Sequence, residues 1–310
     1  MKVLTPSTAL EAVADFENEA VLLRRLNTCK GVVSYVDGGE HPVFATASDG
    51  TPFPPINVRY HVLALASGSL DELLDDPDTR SQLPWDERMR LWRSAVKCVM
   101  QMHQGGVAHR DLKASNCLLM VRKNSSRIQL ADLGRGRDLT VPASRPAQNY
   151  LTGQGDFRFA PPEALYWQGG TSKDDFLAID YYGLGSLLVE LISGQSITAL
   201  AIGDFGVALR EGHDDFMSGR VRDLGVLDLK YRNVIAQLAE HVPVSIRQDV
   251  VTVLTILCHP EPDQRLSRSP YRRDRASHDR LAWVLRRADI MIRRLQIEAR
   301  IERNVQKATA

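Results

Sequence analysis

An α+β fold is predicted by the order in which hydrophobic periodicity changes along this chain of 310 residues. Strand-like apolar runs cluster before residue 67, and the 3.6-residue helical period dominates after it. Residues 9–26 open with a helical stripe of Phe16, Ala20, Leu23 and Leu26, with Glu17, Glu19, Arg24 and Arg25 elsewhere on the surface. Residues 31–37, 43–47 and 57–66 read as strands, and the run from Ser48 to Pro55 is a turn-rich connection. A long helix is predicted over Trp85–Gln104, stopped by Gly105-Gly106. A polar hairpin over 122–127 precedes an alternating strand, Ile128-Gln129-Leu130-Ala131. Residues 135–154 lack any period. An apolar helix starts at Asp180 and runs through Leu191, and an amphipathic helix follows near the end, with Leu281, Val284, Leu285, Ala288, Met291, Ile292 and Leu295 on one side.

Composition excludes some functions. A net charge of +1 gives no bulk attraction to nucleic acid or to a membrane surface. The C-terminal stretch from Arg268 is basic, but a helix packed on the body with a solvated arginine face is the expected reading, ahead of nucleic-acid or acidic-lipid contact. Cys29, Cys98, Cys117 and Cys258 are scattered without a C-x-x-C pair, so neither zinc nor a disulfide framework is signalled. No uninterrupted apolar run approaches 18 residues, and the start lacks the apolar segment of a secretory leader. The expectation is a cytoplasmic protein.

The chemistry concentrates in His109-Arg110-Asp111-Leu112-Lys113-Ala114-Ser115-Asn116. One short loop there carries a carboxylate, a cation two residues on and an amide oxygen five residues on, the groups that phosphoryl transfer to a hydroxyl requires. This stretch resembles the catalytic loop of protein kinases. Four further segments resemble that family in the right order. Asp132-Leu133-Gly134 resembles its D-F-G triplet, and Ala160-Pro161-Pro162-Glu163 the end of its A-P-E segment. Asp180-Tyr181-Tyr182-Gly183 resembles the start of its buried central helix, and Pro260 through Arg265 its late arginine segment.

The resemblance implies a bilobal fold: a small β-rich lobe over 1–66, entered at its third strand, a large mainly helical lobe over 67–267, and a basic helical extension over 268–310. It implies ATP and Mg²⁺ as cofactors and a protein substrate. Asp111 would accept or orient the hydroxyl proton, Lys113 would neutralise the γ-phosphoryl group, and Asn116 and Asp132 would ligate Mg²⁺. Glu19 would pair with Lys2 to grip the α- and β-phosphates. Leu63, Ala66 and Leu118 would surround the adenine, Leu63 as gatekeeper and Ala66 in the hinge. Leu23, His109 and Leu133 would form an apolar spine, Asp180 would cap the catalytic-loop backbone, and Glu163 would pair with Arg265. Thr140, Ser144, Tyr150 and Thr152 are possible phosphate acceptors, with Arg110 as a phosphate partner.

Two departures leave alternatives open. Lys113 favours serine/threonine substrates, whereas Asp156 stands where those members usually carry threonine. Lys2 reads either as the nucleotide-gripping lysine or as a loose terminal residue. No G-x-G-x-x-G occurs in the sequence, so that loop is expected upstream of Met1, and weak ATP binding is expected without it. Three functional readings follow: a protein kinase, a pseudokinase-like interaction module, or a small-molecule phosphotransferase of kinase-like fold.

Overall fold

Two lobes form, and the smaller is organised around one short sheet. The computed structural model describes residues 1–5, 9–44, 46, 48–49, 52–122, 125–143, 156–265 and 281–309. Strand β1 (Lys2–Val3) precedes helix α1 (Leu10–Arg25), and β2 (Tyr35–Val43) and β3 (Ile56–Leu63) follow as a hairpin. The sheet order is β1-β3-β2, all antiparallel, with Lys2 opposite His61 and Tyr35 opposite Leu63. His61 is buried and its ring stacks on Phe16 of α1, centroids 3.8 Å apart, which seats the helix on the sheet.

The small lobe differs from the sequence expectation in one respect. Gly31–Asp37 and 43–47 read as two strands, yet one strand runs from Tyr35 through Gly38, Gly39 and Pro42 to Val43. Pro42 is tolerated because β2 lies at the edge of the sheet, where a missing N–H removes no ladder bond. A register shift between Tyr35 and Asp37 marks a bulge, and Val32 makes only an isolated parallel bridge to Leu130.

The large lobe begins with β4 (Gly68–Ser69), a 3-10 turn over Asp71–Leu73, α2 (Pro77–Gln82) and α3 (Trp85–Gln104). Next come β5 (Val107–Ala108), a 3-10 turn over Ala114–Asn116, the hairpin of β6 (Cys117–Arg122) and β7 (Ser125–Leu130), and β8 (Arg137–Asp138). Helices α4 (Pro162–Leu165), α5 (Lys173–Ser193), α6 (Ile197–Ile202), α7 (Phe205–Met217), α8 (Asp228–Glu240), α9 (Val244–Leu257) and α10 (Ala282–Thr309) complete it.

Helix α5 is the axis of this lobe. Ser172 and Asp175 form a reciprocal capping box at its start, and Gly194 at φ 75° closes it. Between the caps the helix is buried on nearly every side. Among the described residues it is the one helix whose length and composition would admit a membrane span, although Asp180 and Glu190 interrupt its apolar run. Its burial, 94% of the apolar window, makes it the core of the lobe instead. Trp92 Nε1 donates to Leu184 O at 2.9 Å and Arg88 Nη1 to Leu191 O at 2.8 Å, so α3 is pinned along it. A side chain at Gly183 would place its Cβ 2.7 Å from Leu112 Cβ, so glycine there lets the helix approach the catalytic loop. Helix α10 packs along α3 and α9, as its apolar stripe predicts.

Candidate active site

The turn from β5 to β6 carries His109 to Asn116 across the junction of the two lobes. Its backbone is held in an unfavourable shape: Arg110 has φ 68°, and Asp132, on the facing turn after β7, has φ 58°. Asp180, fully buried seven residues inside α5, which begins at Lys173 and so ahead of its predicted start, holds the first. Its Oδ1 accepts from Arg110 N at 2.7 Å and its Oδ2 from His109 N at 2.9 Å. His103 Nε2, 2.7 Å from Asp180 Oδ2, supplies a third partner that the sequence reading missed. Burial alone would raise the Asp180 carboxyl, but the His103 hydrogen bond and the Arg110 amide hold it below the usual carboxylate range.

His109 is wholly buried and its tautomer is set by its neighbours. The Asp111 amide donates to Nδ1 at 3.3 Å, so Nε2 carries the proton and donates to Ala131 O at 3.0 Å. Leu23 and Leu133 are equally inaccessible and share one core, so the expected spine residues are all interior.

Asp111 is fixed through Asn116. The Asn116 Nδ2 donates to Asp111 O at 2.7 Å and to its Oδ2 at 3.1 Å, and Lys113 Nζ lies 3.3 Å from the same Oδ2. Asp111 Oδ1 takes no hydrogen bond among the described residues, so one carboxylate oxygen is left as an acceptor. With its amide nitrogen committed to Asp111, Asn116 keeps Oδ1 as an oxygen donor. Asp132 supplies carboxylate oxygens nearby. Two hard oxygen ligands suit Mg²⁺, which retains waters and shares phosphate oxygens instead of taking a full protein cage. The residues present therefore fit a nucleotide-bound Mg²⁺.

Lys2 is ordered by two carboxylates. Its Nζ lies 2.7 Å from Glu19 Oε2 and 3.0 Å from Asp132 Oδ1, so the nucleotide-gripping alternative is the one the geometry matches. Burial opposes the Lys2 charge, but Glu19 and then Asp132 outweigh it and raise its pKa. Glu19 is 1% exposed with Oε1 unpartnered, and burial pushes its carboxyl up against the pull of Lys2. Burial also works against ionisation of Asp132, yet the charge and hydrogen bond of Lys2, with Lys113 farther off, hold it below the usual range. Asn18, also unforeseen, donates to Gly134 O at 2.8 Å and Gly136 O at 2.9 Å, clamping α1 to the turn after Asp132. An amide in a helix interior, where it costs propensity, was its sequence signal.

Leu63 ends β3, is half-buried and packs on the core, and Leu118 packs likewise, paired with Ser69. Between them Ala66 makes no backbone hydrogen bond among the described residues. Asp156 is bound by Arg158, whose Nε is 2.9 Å from both carboxylate oxygens. That hydrogen bond lowers its pKa, with Lys113 contributing through space. Glu190, an acid inside the apolar helix, was not foreseen as a neighbour of the catalytic loop. Its Oε2 accepts from Ala114 N at 3.2 Å, and burial pushes its carboxyl up to about 8, aided by Asp71 and Asp75 and opposed by Ala114 and Lys113.

Arg110 is buried, lies over the Phe176 ring, and donates from Nη1 to Arg135 O at 2.9 Å. Thr140 Oγ1 donates to Asp138 Oδ1 at 2.6 Å and accepts from Arg25 Nη1 at 3.3 Å. Ser144, Tyr150 and Thr152 lie outside the described residues. Glu163 and Arg265 form the expected pair, with two contacts of 2.7 Å, both side chains at most 3% exposed.

The protein kinase domain family model matches residues 1–275. The chain belongs to that family. Among similar proteins, cysteine-rich receptor-like protein kinase 21 of Arabidopsis thaliana is 28% identical over 186 residues, 58% of this chain and 23% of the relative. Cysteine-rich receptor-like protein kinase 37 of the same plant is 32% identical over 133 residues, 42% of this chain and 19% of the relative. Cysteine-rich receptor-like protein kinase 36 is 29% identical over 187 residues, 58% and 24% of the two chains. The match thus spans about a quarter or less of these relatives.

Proposed function

We propose that this chain transfers the γ-phosphoryl group of ATP to serine or threonine hydroxyls of protein substrates. One observation carries the reading: Asn116 hydrogen-bonds and Lys113 ion-pairs to the same carboxylate of Asp111, opposite a Lys2 held between Glu19 and Asp132. Asp111 Oδ1 is placed to accept a hydroxyl proton, while Oδ2 is held by Asn116. Lys113 sets positive charge beside that carboxylate, where the transferred group would develop negative charge. Lys2 would bind the α- and β-phosphates, with Glu19 fixing its ammonium. Asn116 Oδ1 and Asp132 would hold Mg²⁺, which neutralises phosphate charge when bound. Leu63, Ala66 and Leu118 would enclose the adenine. The retained Lys2, Asp111, Asn116 and Asp132 favour this over a pseudokinase-like module.

Acceptor choice rests on Lys113. Asp156, engaged by Arg158, points the other way, since it stands where serine/threonine members usually carry threonine. Incubation with γ-labelled ATP and matched serine, threonine and tyrosine peptides, followed by phosphoamino-acid analysis, should place label on serine and threonine. Label on tyrosine alone would overturn the acceptor assignment.

A further inference from the structure

Away from the cleft, a cavity of about 460 Å³ opens between α3, β7 and α10. Among the described residues its wall carries Lys30, Arg90, Arg93, Lys97 and Arg127 against one carboxylate, Asp289. Arg90, Arg93 and Lys97 are spaced three and four apart and share one face of α3, where like charges destabilise a helix. Two of the five cations are compensated: Arg93 Nε lies 2.5 Å from Asp289 Oδ1, and Arg90 reaches Asp86 at 3.5 Å and Glu87 at 3.9 Å. Lys30, Lys97 and Arg127 have no ion pair among the described residues. Arg127 Nε is moreover buried without an acceptor among the described residues. The thiol of Cys98, in the same wall, is pushed up to about 12 by burial, so it adds no negative charge at neutral pH.

We propose that this cavity is a binding site for a small soluble polyphosphate. Three uncompensated cations converge on it, and a buried guanidinium donor points to a missing oxygen acceptor. Guanidinium and ammonium groups together match phosphate oxygens in shape and charge. The volume falls in the range of small-ligand sites. A single phosphate would leave positive charge unmatched, whereas a chain of phosphates spans several cations. The site is separate from the nucleotide-gripping Lys2 and independent of the proposed phosphotransfer.

The test is calorimetric titration of the full chain with sodium tripolyphosphate in the absence of Mg²⁺, at low and high salt. Saturable binding is expected, weakened by salt as charge pairing requires. In the double variant Lys30→Glu, Lys97→Glu, both exposed positions, affinity should fall by about tenfold or more. Arg127→Gln should weaken it several-fold, and Lys2→Met should leave it in place. Each variant is compared with the wild type by thermal melting, and the Lys30/Lys97 pair decides the matter if Arg127→Gln unfolds. No saturable binding by the wild type, equal binding by the double variant, loss in Lys2→Met, or orthophosphate binding as tightly as tripolyphosphate would each overturn the proposal.

Discussion

Asp111→Asn is expected to lower phosphotransfer turnover by roughly 10²–10⁴-fold while fold and ATP affinity stay unchanged. The substitution keeps the shape and leaves a side-chain carbonyl to accept from Asn116 Nδ2, now at 3.1 Å from Oδ2. It removes the basic oxygen left as an acceptor and the charge that draws Lys113 to 3.3 Å. Nothing in the Lys2, Glu19 and Asp132 cluster touches Asp111, so nucleotide contacts should survive. Steady-state kinetics with a fixed peptide, read as separate kcat and KM for ATP, would show the effect in kcat. Turnover within a few-fold of wild type would remove Asp111 from its proposed role.

The second large effect is on stability. Breaking the Glu163–Arg265 pair from either side should cost roughly 3–5 kcal/mol, because each leaves a buried charge without its partner. Arg265 is fully enclosed and its donors are all spoken for. Two meet Glu163, and others reach Ala178 O at 3.1 Å, Pro260 O at 3.2 Å and His259 O at 2.8 Å. Burial opposes the guanidinium charge, but the Glu163 carboxylate outweighs it and raises the Arg265 pKa. Arg265→Met would orphan the His259 and Pro260 carbonyls and a carboxylate, joining loss of the charge to loss of the brace between α4 and α5. Glu163→Gln keeps the shape and should cost less than Arg265→Met. Urea unfolding would report both as lowered midpoints. A loss below about 1 kcal/mol in both variants would mean the pair is solvated, contrary to its burial.

Much of this arrangement was legible in the residues. The motif segments place Asp111, Asn116 and Asp132 because chemistry fixes their types, and the spacing of Lys2 and Glu19 anticipates their contact. The helix Trp85–Gln104 ends where Gly105-Gly106 says it should. What escaped was what tertiary context decides. Gly38, Gly39 and Pro42 are local breakers, yet pairing with β3 carries the strand through them at a sheet edge. His103 gains its partner from Asp180, 77 positions away, and Asn18 gains carbonyls more than a hundred positions away. Glu190 shows as an acid in an apolar run, but only the fold reveals that it lies under Ala114. Arg110 reads as a phosphate partner, and only the fold reveals its positive φ and its place over Phe176.

Equilibrium binding of ATP, titrated with and without Mg²⁺ in wild type and Asp132→Asn, tests the site most directly. Lys2 and Asp132 are within 3.0 Å of each other, and Asn116 Oδ1 is left available, so the metal and the triphosphate should be held as one unit. Mg²⁺ is expected to tighten ATP binding to the wild type by roughly tenfold or more, and to have little effect on Asp132→Asn. An equal Mg²⁺ response in both proteins would contradict the assignment of Asp132 and, with it, the proposed phosphotransfer site.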